Sequence, residues 1–292
     1  MAHTLSATDL ILNQDGSIYH LNLLPHDIAS TIITVGDPDR VTEVSKYFDR
    51  IELKKGKREF ITHTGYIGKS RISVVSTGIG TDNIDIVMNE LDALVNIDLD
   101  TRSEKENVTT LNFIRIGTSG AIQPDLPMGS LLASSHGIGL DNLMHYYQCG
   151  DRQVDSGLTA YVNNYFKSDN LIPYIEACSS DLYSKIAFDI PTGITLTAPG
   201  FYAPQGRNTR AKQVYNNLLT KMLDFHYKGQ VITNLEMETA GIYGLANALG
   251  HRALSINAIL ASRVNFEFSK QPNKIVEQAI QQVLERVVML DE

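Results

Sequence analysis

Four short segments of this 292-residue chain put charge, amide and hydroxyl groups where a small ligand could be held. Gly36-Asp37-Pro38-Asp39-Arg40 directly follows an apolar run. Glycine permits close backbone approach, exposed N–H groups at a strand-to-helix turn attract anions, and Arg40 offers a charge-assisted fork for phosphate. The plainer account is an ordinary turn with Arg40 on the surface. In Arg115-Ile116-Gly117-Thr118-Ser119-Gly120, the arginine interrupts an apolar strand pattern. A buried charge without a partner is expensive, so Arg115 needs an anion, either a carboxylate of the protein or a ligand. Thr118, Ser119 and Gly120 then offer hydroxyls and N–H groups at the strand's end. Phe201-Tyr202-Ala203-Pro204-Gln205-Gly206-Arg207 combines an aromatic face, an amide and a guanidinium. A flat heterocycle could stack on Phe201 while Gln205 and Arg207 address its polar edge. Glutamine donates and accepts, which suits an imide such as uracil. The same stretch also reads as a Pro/Gly surface loop. Glu236-Met237-Glu238 opens a helix, where carboxylates are favourable on dipole grounds alone. They could equally accept from sugar hydroxyls, with Met237 packing on the ring.

Other chemistries lack their residues. The eight histidines form no metal pattern, and His20 in Ile18-Tyr19-His20-Leu21 reads as structural by itself. There is no Gly-x-Ser-x-Gly elbow and no Walker A sequence, and two Gly-x-Gly turns lack the third glycine of a dinucleotide fingerprint. Lys and Arg total 25 against 33 Asp and Glu, a net charge of -8, which argues against a nucleic-acid partner. Only Cys149 and Cys178 are present, too few for a disulfide framework or a structural zinc site. The N-terminus carries no basic segment followed by an apolar one, and no apolar run reaches 18 residues. The expectation is a cytoplasmic protein without a membrane partner.

The elements that must position these segments are short β-branched runs. Thr31 to Val35, Arg71 to Ser76, Asn112 to Ile116, Gly129 to Ser134, Gly193 to Thr197 and Ala253 to Leu260 are predicted strands. STGIGTDN (76–83) and SHGIGLDN (134–141) both read as glycine turns after strands. Helical spacing marks 83–95, with Asp82 as N-cap, 238–249, with Gly250 as C-cap, and 273–290 after Pro272. Residues 98–110 read as an exposed loop or frayed helix end. Near-continuously apolar strands alternating with helices predict an α/β fold, a central sheet covered on both faces. No Pro/Gly/Ser-rich linker divides the chain, so residues 1–292 are expected to form one domain.

In their joint order, from about His20 to Arg263, these segments resemble the nucleoside phosphorylase-I family and, within it, the members acting on uridine. The resemblance implies a mixed, distorted barrel-like sheet flanked by helices. It implies that Gly36 and Arg40 hold phosphate, joined by Arg58 (in Lys57-Arg58-Glu59-Phe60) from a neighbouring subunit, and by Arg115 and Thr118. Thr118 would be shared with ribose, beside Met237, Glu238 and a partner's His20 on the 5′-hydroxyl. Gly120, Phe201, Gln205 and Arg207 would stack and read the base. Purine-specific members carry an acid after the late strand. Ser262-Arg263 stands there instead, and Gln205–Arg207 is the pyrimidine arrangement. Pro204 replaces a common glycine, which stiffens the loop. Some relatives hold a monovalent cation with a carboxylate and a serine. Glu59 matches the first and Asn83 replaces the second, so no cofactor or metal is expected and phosphate is a co-substrate.

The implied activity is reversible phosphorolysis of uridine to uracil and ribose 1-phosphate by a homo-oligomer, dimer or hexamer, a pentosyltransferase reaction. Arg115, Arg207 and Gln205 are its expected catalytic groups. The rivals are a purine or broad-specificity phosphorylase, a nucleosidase using water, and a non-catalytic nucleoside-binding protein on the same fold.

Overall fold

The computed structural model describes residues 4–148, 154–169 and 171–291. Cys149 lies outside them; Cys178 is a free thiol, pushed up to about 11 by burial. In chain order come β1 (Thr31–Val35), α1 (Pro38–Ser45), β2 (Arg50–Lys57), β3 (Phe60–Ile67), β4 (Ser70–Ser76), α2 (Thr81–Asn96), β5 (Ile97–Asp98) and β6 (Ser103–Glu104). Next are β7 (Asn112–Ala121), β8 (Leu131–Gly139), α3 (Ser156–Phe166), β9 (Tyr174–Ala177), α4 (Ser180–Ile186) and β10 (Thr192–Thr197). The last are α5 (Leu218–Leu223), β11 (His226–Tyr227), β12 (Gln230–Glu236), α6 (Thr239–Leu249), β13 (Arg252–Ser262), β14 (Glu267–Phe268) and α7 (Pro272–Val287).

The sheet runs β11-β12-β10-β8-β13-β7-β1-β4-β3-β2, and β12 also pairs β7. That extra pairing closes β12, β10, β8, β13 and β7 into a barrel, while β1, β4, β3 and β2 extend it as an open sheet. The closing seam is antiparallel and short: Asn234 faces Ala121 and Leu235 faces Gly120. It brings the ends of β7 and β12 together from opposite directions.

Alternation along the strands feeds two apolar layers. Ile32 and Phe113 face Ile84, Val87, Met88 and Leu91 of α2 and Ile242 and Leu245 of α6. Ile33, Ile114 and Ile116 face the other way, toward Ile280, Val283 and Val287 of α7. Each of those α7 side chains is essentially solvent-free, worth roughly 1.5–3 kcal/mol relative to exposure. A third cluster packs α3 and α5 on Ile138, Ile194, Leu196 and Ile232. The expected α/β sheet, covered on both faces, is what the chain forms.

Four local expectations need correction. SHGIGLDN is no turn: β8 runs on through Gly139, starting later than predicted, at Leu131. Glycine is needed there for close packing, because a Cβ on Gly137 would lie 2.7 Å from the Ala240 Cα of α6 and one on Gly139 2.2 Å from Tyr174. In STGIGTDN, by contrast, Gly78 and Gly80 have φ of 72° and 92° and make a true turn. The N-cap of α2 is Gly80, which places Asp82 inside the first turn. Within 98–110, Ser103–Glu104 pairs back on Ile97–Asp98 as a small antiparallel ribbon.

Inside the barrel the packing is polar. Ser134, Thr195, Asn234, Ser255 and Asn257 have no exposed surface. The Asn257 amide donates to Ser134 Oγ (3.1 Å), which lies 2.5 Å from Thr195 Oγ1. Thr195 donates to Asn234 Oδ1 (2.8 Å), and the Asn234 amide to Ser119 Oγ (2.9 Å). Each amide and hydroxyl along this path from Asn257 to Ser119 therefore has a partner, as low-dielectric burial requires.

Candidate active site

Where the seam and the strand ends meet, a cavity of about 990 Å³ opens, lined from Gly36 through Phe268 by the turns after β1, β4, β10, β12 and β13 and by β7 itself. Ligands of α/β sheets bind outside carboxyl ends of strands, and this cavity collects several of them.

At one end stand two arginines. Arg40 leaves the first turn of α1, whose N-cap Asp37 accepts from Asp39 N–H at 3.0 Å. It is half-buried, and among the described residues its guanidinium has no hydrogen-bond or ion-pair partner. Burial lowers its pKa, and the neighbouring Arg115 charge lowers it further, against Asp37 and Glu238. Arg115, almost wholly buried, is bonded on two sides. Its Nη2 lies 2.5 Å from Glu238 Oε2 and 3.2 Å from Glu236 Oε2, and its Nη1 donates to Asn257 Oδ1 at 2.9 Å. Burial works against its charge, and the two carboxylates more than restore it. Arg115 thus has the carboxylate partners that one account of its position called for, and it also lines the cavity.

The carboxylates divide their work. Glu236 Oε2 accepts from the N–H groups of Glu238 and Thr239, both at 2.9 Å, which satisfies the start of α6. Its Oε1 accepts from Thr197 at 2.6 Å. Glu238 Oε1 accepts from Gly80 N–H at 2.8 Å. Burial, with Glu236 beside it, pushes the Glu238 carboxyl up, opposed by Arg115. Thr118, Gly120 and Met237 line the space between the two ends.

At the other end is the loop after β10. Gln205 is buried, and its Oε1 accepts from Arg207 Nη1 at 2.5 Å. That donor fixes the amide orientation and leaves one lone pair of Oε1 free. Arg207 also donates to Phe201 O at 2.6 Å and lies 3.7 Å from the Phe201 ring centroid. The expected stacking platform therefore already carries a guanidinium on one face. Burial and the charge of Arg263 bring the pKa of Arg207 down to about 10. Arg263 donates to Gln205 O at 3.1 Å, clamping the loop. Sequence reasoning passed over Arg263 as a site residue, and also Ile79, Phe266 and Phe268 at the cavity wall. Arg263 had a signal, an arginine directly after an apolar strand, much as Arg115 stands within one.

Two expected residues do not line the cavity: His20 and Arg58. Arg58 is exposed at the tip between β2 and β3, with φ of 57°. His20 Nδ1 is 2.6 Å from Glu90 Oε1. The two are close in space: Lys57 lies over the Tyr19 ring at 4.1 Å, and the His20 and Phe60 rings are 6.4 Å apart. Among the described residues no group of three or more His, Cys, Asp or Glu could hold a metal, and no helix is long and apolar enough to cross a membrane. Glu59 and Asn83 meet at Gly78, on the cavity wall.

Comparison with known proteins matches this geometry to a family. The uridine phosphorylase of Thermococcus kodakarensis is 32% identical over 261 residues, covering 89% of this chain and 83% of its own. That of Haemophilus influenzae is 30% identical over 279 residues, covering 93% and 94%. A DeoD-type purine nucleoside phosphorylase of Buchnera aphidicola is 25% identical over 272 residues, covering 91% and 98%. The crystal structure of a Trypanosoma brucei nucleoside phosphorylase showing uridine phosphorylase activity superposes with a TM-score of 0.86 at 27% identity, covering 96% of this chain and all of that one. The family model of the phosphorylase superfamily matches residues 30–289, nearly the whole described sheet and its helices, and the chain belongs to that superfamily.

Proposed function

We propose that the protein catalyses reversible phosphorolysis of uridine. A phosphate oxygen bonds to the anomeric carbon of ribose, the carbon–nitrogen bond to uracil breaks, and the bond pair leaves on the base. The products are ribose 1-phosphate and uracil, which regains its proton from solvent. The observation that carries this reading is Arg40: a half-buried cation without a hydrogen-bond or ion-pair partner among the described residues, beside Arg115, in the cavity that the base-reading loop also lines. Phosphate held there is oriented and partly desolvated, which raises its effective concentration at the sugar. Its charge stabilises the oxocarbenium-like sugar as the bond breaks. Glu238 and Met237 face the ribose, with Thr118 between ribose and phosphate. Gln205 accepts from uracil N3–H and, with Arg207, donates to the carbonyls where negative charge collects. Catalysis is distributed, and the site needs no nucleophilic side chain.

Uridine is favoured over purine nucleosides by two observations. Arg207 fixes the Gln205 amide, which can both accept and donate as an imide would need, and Ser262-Arg263 offers no acid to protonate a purine. We further propose a homo-oligomer in which His20 and Arg58 of one subunit complete the site of another. Both lie outside their own cavity, and their chain neighbours Lys57 and Tyr19 are in contact, which supports this. A cytoplasmic setting and one domain of 292 residues complete the reading.

The test incubates uridine and inosine, each with and without phosphate, and follows absorbance and products. Uridine consumed only with phosphate is the expected result. Preferred inosine turnover supports the purine reading, cleavage without phosphate a nucleosidase, and binding without turnover a storage role. A monomer in sedimentation that keeps full activity overturns the shared site.

A further inference from the structure

We infer that Asn257 is a positioning residue for Arg115, setting the plane in which its guanidinium meets phosphate. This rests on the reading that Arg115 holds phosphate.

The register of β7 and β13 carries the argument. Arg115 pairs with Ser255 and Gly117 with Asn257, so all four stand on one face of neighbouring strands. The Arg115 side chain folds back along its own strand over Gly117. A Cβ at Gly117 would lie 1.5 Å from Arg115 Nη1 and 2.8 Å from Asn257 Oδ1. The missing Cβ is the space that the guanidinium and its acceptor share. Glu238, with Glu236 at 3.2 Å, anchors Nη2, and anchors on that one nitrogen leave the planar group free to swing about it. Asn257 Oδ1 anchors Nη1 and removes that freedom.

Asn257 is itself held. Its amide nitrogen donates to Ser134 Oγ at 3.1 Å and Ser255 Oγ at 3.3 Å, which turns Oδ1 toward the arginine. The same hydroxyl of Ser134 leads through Thr195 and Asn234 to Ser119 on the cavity wall. Packing alone does not call for an amide here. Well-packed apolar side chains often fill such a buried position at equal or better stability. An amide directs one hydrogen bond, and this one is directed at Arg115.

The test measures KM for phosphate and for uridine in Asn257→Ala, Asn257→Leu and Gly117→Ala, with thermal unfolding in the absence and presence of phosphate. Both kinds of variant displace the same guanidinium, from different strands. KM for phosphate should rise about tenfold and KM for uridine stay within about twofold. The thermal stabilisation by phosphate should shrink in step, a readout that needs no turnover. If an Asn257 variant fails to fold, Gly117→Ala carries the test. Unchanged phosphate KM, or equal rises in both KM values, overturns the inference. Arg115→Ala separates the two levels. If it too leaves phosphate KM unchanged, the assignment of Arg115 to phosphate falls. If it raises that KM while the Asn257 and Gly117 variants do not, only the role of Asn257 falls.

Discussion

The two ends of the cavity are built differently. At the phosphate end, Arg115 projects from the middle of β7 and is tied to β13 through Asn257 and to the start of α6 through Glu238. At the base end, Gln205 and Arg207 sit on a loop and are bonded chiefly to each other, to Phe201 and to Arg263. Phe201, Tyr202, Phe266 and Phe268 around that end are more than half exposed. Under the proposed roles, Arg115 and Thr118, which would meet phosphate and sugar, are rooted in β7 of the sheet. Gln205 and Arg207, which would read the base, are on a connection that can change without disturbing a strand. The arginine end itself holds a second contrast, between braced Arg115 and Arg40, whose guanidinium has no hydrogen-bond or ion-pair partner among the described residues.

Arg115→Ala should break the most. It removes a preorganised donor, which typically lowers kcat about 10²–10³-fold. It also leaves Glu236 and Glu238 buried without their cation, a loss of about 3–5 kcal/mol, measurable by denaturant unfolding. Arg40→Ala should separate function from stability. Its KM for phosphate should rise by roughly ten- to a hundredfold, the worth of about 1.5–3 kcal/mol for a charged hydrogen bond. Tm should stay near the wild-type value, because no partner is orphaned. Gln205→Ala should act at the other end only. Steady-state kinetics should show kcat/KM for uridine falling roughly five- to a hundredfold, with KM for phosphate nearly unchanged. Equal effects on both substrates would erase the division between the two ends.

The smallest expected effect is on pH. Because burial and Glu236 push the Glu238 carboxyl up, acidification protonates it early and takes a counter-charge from Arg115. The acidic limb of kcat/KM should therefore lie above the usual carboxylate range and be absent in Glu238→Gln. The stability sign is opposite to that of a carboxylate whose pKa is lowered on folding. A raised native pKa gives a contribution present below the unfolded value and lost as pH rises through the native one. Thermal unfolding of both proteins across that range checks it.

Much of the sheet was legible because buried strands are spelled in β-branched residues. Thr31 to Val35 is β1 residue for residue, and the runs at 71–76, 112–116 and 253–260 lie inside β4, β7 and β13. What escaped had a different spelling. The hairpin β2–β3 begins on the exposed edge Arg50–Lys57, where lysines replace the apolar pattern. Gly137 and Gly139 read as punctuation, but a neighbouring helix and ring occupy the space their side chains would fill. Barrel closure depends on pairing between residues more than a hundred positions apart, which no local pattern encodes. In the site, residue types pointed to chemistry while partners decided it. Arg115 was marked by its charge in an apolar run, but its bonds to Glu238 and Asn257 come from three separate elements. Arg263 was noticed only for the acid it replaces, and its clamp on Gln205 needs the folded loop.

The seam between β7 and β12 reaches only two register pairs, extended by Ile122 N–H to Thr233 O and the Gln123 amide to Ile232 O. Beyond Leu235 and Gly120 the ladder stops and the cavity begins. In the proposed site, a nucleoside lying between Gly120 and Met237 would occupy the place of the next rung. The substrate would then also be a fastener, joining β7 to β12 at the rim while it is bound.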